Sequence, residues 1–154
     1  MSKKEPAITR EQQRQLGVDL FNLTWTLIEK PDRSPEESDA MIHVAHASAY
    51  HWRQVGTPLN HARSDWLLSR VYALLDRPEA ALYHARHCLA ICEAQGIGDF
   101  DLAFAYEALA RAHVVSGQTA DAQRYLNLAT VAGQVIEEED DRRYFIAELE
   151  TIEL

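Results

Sequence analysis

The sequence predicts an all-α protein: antiparallel helical hairpins stacked in one domain over residues 9–154, behind a polar, frayed tail at 1–8. Three observations carry that prediction. Leu75-Asp76-Arg77-Pro78-Glu79-Ala80-Ala81-Leu82 is echoed by Ser116-Gly117-Gln118-Thr119-Ala120-Asp121-Ala122-Gln123, a tight break followed by a helix opening on small residues. Such self-similarity at a fixed offset marks stacked architectures. With only 6 Gly and 5 Pro, the chain is poor in the turn residues that an all-β fold requires, whereas its abundant Ala, Leu, Glu, Gln and Arg are good helix formers.

Seven helices follow in order. Thr9, with Gln12 three residues on, makes a capping box that opens the first helix, which runs over 9–30 and stops before Pro31. It carries two apolar stripes, Leu16-Leu20-Leu23-Leu27 and Val18-Phe21-Trp25-Ile28. One stripe suffices to dock a helix, so the second meets another part of the protein, a partner subunit or a ligand. Ser34-Pro35-Glu36-Glu37 opens the second helix, 35–55, with an N-cap, a proline at the first helical position and acids in the first turn. Its core stripe is Met41, Ala45, Ala49 and Trp52, with His43, His46 and Tyr50 on a neighbouring side. Gly56-Thr57-Pro58 breaks the chain before the third helix, 59–75, and the fourth spans 78–95 up to Gly96. Asp99 is the expected cap of the fifth, 99–116, and Thr119 of the sixth, 119–137, which turns Ala122, Leu126, Ala129 and Ile136 inward. The acid run at 137–141 marks a bend and a fresh start. The seventh helix, 141–152, carries the short apolar stripe Phe145-Leu149-Ile152 and reads as a terminal cap.

Charge and cysteine usage exclude several functions. From Glu137 to Leu154, eight acids stand against two bases, a balance of −6 out of the chain's −9. Such a chain has no basic surface for nucleic acid. No window approaches the eighteen or so apolar residues of a membrane span, and no apolar run follows Met1-Ser2-Lys3-Lys4 as in a signal peptide. Cys88 and Cys92, four apart on one helix, project in parallel from separate turns and are expected as free thiols, which places the protein in the cytoplasm.

The third to sixth helices resemble the tetratricopeptide repeat family, whose first helix reads W-x2-L-G-x2-Y and whose second reads A-x3-F. The first copy is Asp65-x2-Leu68-Ser69-x2-Tyr72 with Ala81-x3-Ala85, and the second is Tyr106-x2-Leu109-Ala110-x2-His113 with Ala122-x3-Leu126. Ser69, Ala81, Ala110 and Ala122 stand where helices must approach closely. Gly117 follows Asp76 by 41 residues, against about 34 in the family, and Glu93 and Gln134 replace its closing proline. The long, degenerate repeat covers about half the chain. The resemblance implies a short right-handed solenoid that binds a protein or peptide in a concave groove lined by the first helix of each hairpin.

On that register the groove would present Arg63, Trp66 and Arg70 from the third helix and Phe104, Glu107 and Arg111 from the fifth. The aromatics would supply apolar anchorage. The arginines would grip carboxylate or phosphate bidentately, which points to a partner with an anionic segment. Alternatively, Arg70 and Arg111 pair with Glu107 and Asp65 as internal supports. Phe21, Trp25 and Ile28 are the candidates for self-association into a homodimer.

A second class of reading is a small-ligand or metal pocket, open to catalysis, built from the groove arginines and the histidines. His43, His46, His84 and Cys88 are its candidate metal ligands. Three ligands from one straight helix cannot converge, since i and i+8 lie about 12 Å apart, so a second helix would have to contribute. His46, His51, Asp101 and Glu107 could do acid–base work and His84 could activate Cys88, but no spacing links these groups. No catalytic residue and no cofactor are assigned.

Overall fold

A computed structural model describes Lys4 and residues 7–154; most of the tail expected at 1–8 lies outside the described residues. Among the described residues the chain forms seven helices and no strand: α1 (Arg10–Glu29), α2 (Pro35–Val55), α3 (Pro58–Leu74), α4 (Pro78–Gln95), α5 (Asp99–Val115), α6 (Thr119–Gln134) and α7 (Glu139–Leu149). α1, α3 and α5 each pack most extensively on the even helix that follows, and α1, α3, α5 and α7 also touch in sequence. Among the described residues the backbones of α2, α4 and α6 stay further apart, and α2 meets α4 through the His46 and His84 rings. The odd helices are thus the tighter layer, and their free side is the inner face of the stack.

Local chemistry sets the ends. The capping boxes form as expected: Thr9 Oγ1 accepts the Gln12 N–H and Ser34 Oγ accepts the Glu37 N–H, both at 3.1 Å. The Arg33 guanidinium donates to the Leu27, Ile28 and Lys30 carbonyls, satisfying the orphan acceptors at the end of α1. Two caps differ from expectation. Asp99 is the first residue of α5 rather than its cap, with φ 53°, and its Oδ1 accepts the Glu137 N–H at 3.1 Å. It therefore ties the α6–α7 connection to α5. Thr119 is likewise the first residue of α6, with Gln118 at the cap.

The 41-residue offset holds at the level of single hydrogen bonds. Asp76 and Gly117 both take left-handed backbone, φ 56° and 74°. Arg77 N–H closes onto the Tyr72 carbonyl as Gln118 N–H closes onto that of His113, at 2.8 and 3.0 Å. Both ends use the backbone pattern of a left-handed C-cap, which Asp tolerates better than most side chains. The following helices then stack a His–Tyr pair in exchanged order, Tyr72 on His84 and His113 on Tyr125, with rings parallel within 4° and 6°.

Small residues set the helix spacing. Ser69, Ala81, Ala110 and Ala122 are all buried, and Ser69 Oγ donates to the Ala81 carbonyl at 2.9 Å. The α1–α2 seam runs where no apolar stripe announces it: Gly17 and Thr24 are the buried residues of α1, and Ser48 Oγ donates to the Gly17 carbonyl at 2.8 Å. A Cβ on Gly17 would stand 2.9 Å from the Trp52 ring, so only glycine lets the ring lie flat on α1. The two stripes of α1 flank this seam. Phe21, Trp25, Leu27 and Ile28 pack on the cluster of Met41, Ala45, Leu67, Leu68 and Val71, while Val18 and Leu23 remain exposed. Trp66 of α3 packs against all four buried clusters of the fold and is the hub that joins them.

Candidate binding cleft on the inner helix layer

The inner face divides into a locked half and an open half. In the locked half the buried Glu107 carboxylate, 1% exposed, gathers three donors. Oε2 accepts Trp66 Nε1–H at 3.1 Å, and Oε1 accepts Arg70 at 3.2 Å and Arg111 Nε–H at 2.7 Å. Arg70 reaches on to Glu148 Oε2 at 3.0 Å, and Arg111 donates to the Glu148 carbonyl at 3.2 Å and to Thr151 Oγ1 at 2.9 Å. Burial pulls the Arg111 guanidinium below its ordinary value, against the pull of Glu107. Two arginines and two glutamates close on themselves, and the network fastens α7 to α3 and α5.

Arg70 and Arg111 therefore differ from the free anion clamp that their equivalence suggests. They do pair with Glu107, but Asp65, the other expected acceptor, belongs to His84, whose Nδ1–H donates to it at 2.9 Å. Glu148 and Thr151 are absent from the sequence-based site, although a signal for the former exists. Glu148 follows Glu107 by 41 residues, Phe145 follows Phe104 by 41, and Trp25 precedes Trp66 by 41. Each pair meets its neighbour: Trp25 and Trp66 rings lie 5.5 Å apart, Phe104 and Phe145 4.8 Å, and Arg70 bridges Glu107 to Glu148.

The open half is a cleft of about 520 Å³ lined from α1, α3, α5 and α7, with one residue from α4. Phe21, Trp25, Trp66, Phe100, Phe104 and Tyr144 give it aromatic walls, with Cys88 and Ala62 behind them. Its charges are Arg63, Asp99, Asp101 and Asp141. Arg63 grips Asp101 through two bonds, Nε–H to Oδ1 at 2.8 Å and NH2 to Oδ2 at 3.1 Å, and that bond raises its pKa. Burial likewise pushes the Tyr144 phenol up, helped by Glu148. Of the expected groove residues, Arg63, Trp66 and Phe104 line this cleft, while Arg70, Glu107 and Arg111 form the locked half. Of the self-association candidates, Phe21 and Trp25 line the cleft wall and Ile28 packs on the Met41 cluster.

The histidines collect in a second cleft, about 380 Å³, between α2, α3 and α4. It holds His46, His61, His84 and His87 with Tyr50, Tyr83, Arg53 and Asp65. His46 Nε2 and the Tyr72 hydroxyl share a hydrogen bond of 2.7 Å, and the His46 and His84 rings stand 5.8 Å apart. Burial lowers the His46 pKa, and the nearby His84 and His43 lower it further. Cys88 is turned away into a buried cluster with Ala62, Cys92 and Ala105, where a hydrogen bond with the free Cys92 thiol and burial push its pKa up. The proposed ligands His43, His46, His84 and Cys88 are thus not brought to one point, and no metal-holding group of three or more His, Cys, Asp or Glu occurs among the described residues. The acid–base candidates are also apart, with His51 on Gln13, Asp101 on Arg63 and Glu107 in its own network. No helix among the described residues is long and apolar enough to cross a membrane.

Comparisons with protein-family models, with curated proteins and with solved structures return no match to this chain. The fold and the two clefts are therefore the ground for any functional reading.

Proposed function

We propose that this chain is a binding module of tetratricopeptide type that takes a segment of a protein partner in the aromatic cleft of its inner face. One observation carries the reading: six aromatic side chains from the four alternate helices α1, α3, α5 and α7 converge on a 520 Å³ cleft on the side of the stack where the helices crowd closest. Clefts with aromatic walls and a few fixed polar groups are what recognition requires, because the rings provide area at low entropic cost. The arginine–glutamate lock supports the same reading by making the wall rigid rather than by gripping the ligand. The paired ion groups of the locked half also argue against acid–base turnover there. Two unpaired thiols, Cys88 and Cys92, favour a reducing compartment, the cytoplasm.

The test is selection of a random dodecapeptide library on the purified chain. A selected peptide should perturb the fluorescence of Trp25 and Trp66, and Tyr144→Ala, at a half-exposed wall position, should weaken its binding. Failure to select any peptide, or selected peptides indifferent to Tyr144→Ala, would remove the reading.

A second reading is a small-ligand site in the histidine cleft. It is favoured by Ser64, which lines that cleft with a buried hydroxyl that has no hydrogen-bond partner among the described residues. Titration of inorganic phosphate followed by histidine C–H resonances checks it; resonances that do not move at millimolar phosphate would end it.

A further inference from the structure

We infer that the segment held by the aromatic cleft is cationic: a peptide stretch that sets a Lys or Arg beside an apolar residue. The inference rests on the binding reading above and assigns the chemistry of the occupant. It reverses the anionic partner expected from Arg70 and Arg111, because both guanidinium groups are already bound to Glu107 and Glu148.

The charges of the cleft lead there. Three aspartates, Asp99, Asp101 and Asp141, line it against one cation, Arg63, a balance of −2. Arg63 has its fork filled by Asp101, so it has little left to offer an incoming carboxylate. Asp99 has one oxygen on the Glu137 N–H and lines the cleft, and the Asp141 carboxylate, whose charge also acts on Arg63, makes no hydrogen bond or ion pair among the described residues. The same Asp99 bond ties the start of the acid run to α5, and Asp141, the last acid of that run, lines the cleft. Aromatic side chains beside carboxylates suit an ammonium or guanidinium, attracted by both the π-systems and the full charges. The apolar neighbour follows from the walls, since a cation alone would leave Phe100, Phe104 and the tryptophan faces wet. A net −9 on the whole chain adds long-range steering of basic segments.

The experiment uses the full chain. Peptides selected from the random library are sequenced, and the consensus peptide is titrated by fluorescence anisotropy at low and at physiological salt, against wild type and Asp141→Asn. The expected result is enrichment of Lys or Arg next to an apolar residue, affinity that weakens as salt rises, and a loss of about 2–5-fold in Asp141→Asn, the effect of one exposed charge. Selection of acidic or uncharged peptides that still depend on Tyr144 would overturn the charge assignment and leave the cleft reading standing. Selection of nothing, or of basic peptides indifferent to both Tyr144→Ala and Asp141→Asn, would overturn the cleft reading and this inference together.

Discussion

Replacing Glu107 by Ala removes the acceptor of the Trp66 Nε1–H and the shortest bond of Arg111, while leaving two guanidinium groups whose side chains are only 14% and 16% exposed. Breaking a buried ion pair from one side costs about 3–5 kcal/mol, because the remaining charge stays desolvated. Here Arg70 keeps Glu148, and Arg111 keeps the Glu148 carbonyl and Thr151, which moves the expectation to about 3 kcal/mol. For a chain of this size that corresponds to a fall in Tm of about 6–12 °C. Urea unfolding followed by far-ultraviolet circular dichroism measures it. The companion variant Glu107→Leu with Arg70→Met and Arg111→Met removes both signs of charge and should recover most of the loss, as apolar replacement of a whole buried network often does. A single variant within about 1 kcal/mol of wild type would mean that the network contributes no more than exposed pairs. The assignment of Arg70 and Arg111 to a structural lock would then fail.

Other consequences are equally direct. Gly17→Ala pushes a methyl against the Trp52 ring and should destabilise the chain by about 1–3 kcal/mol in thermal melts; an unchanged melting curve would refute the flat ring packing at this seam. Phe145→Ala empties a fully buried site beside Gly133 and should cost about 3–5 kcal/mol, with hydrogen exchange accelerating first in residues 139–149. His46 has its pKa lowered in the folded state, so the unfolded chain binds more protons from about pH 6.5 down to that lowered value. Stability therefore falls as pH drops through this window, and His46→Gln should flatten the dependence of Tm on pH between 7 and 5; the same slope in the variant would rule His46 out as its source.

Much of the fold is legible in local sequence, because helix ends are local events. Thr9 with Gln12, and Ser34 with Glu37, form the boxes their spacing implies, and the ends of α3 and α5 repeat bond for bond at the 41-residue offset. Legibility fails where partners are distant. Asp99 reads as a cap but serves the Glu137 N–H, 38 residues away, and the apolar stripes of α1 hide a seam made of Gly17 and Thr24. The groove residues were identifiable by register, but their state was not. Whether Arg70 offers its donors to a ligand depends on Glu148, 78 residues further along the chain.

The sequence alone therefore determines seven helices, their breaks and the equivalence of Trp66 with Glu107 and of Arg70 with Arg111, since capping, periodicity and offset act over a few residues. Tertiary structure alone decides which side chains close on each other and which stay open. The docking of α7 fills half of the inner face with an ion network and leaves the other half as an aromatic cleft rimmed by carboxylates. Charge is a property of residues, but the field a ligand meets is set by which of those charges are already paired.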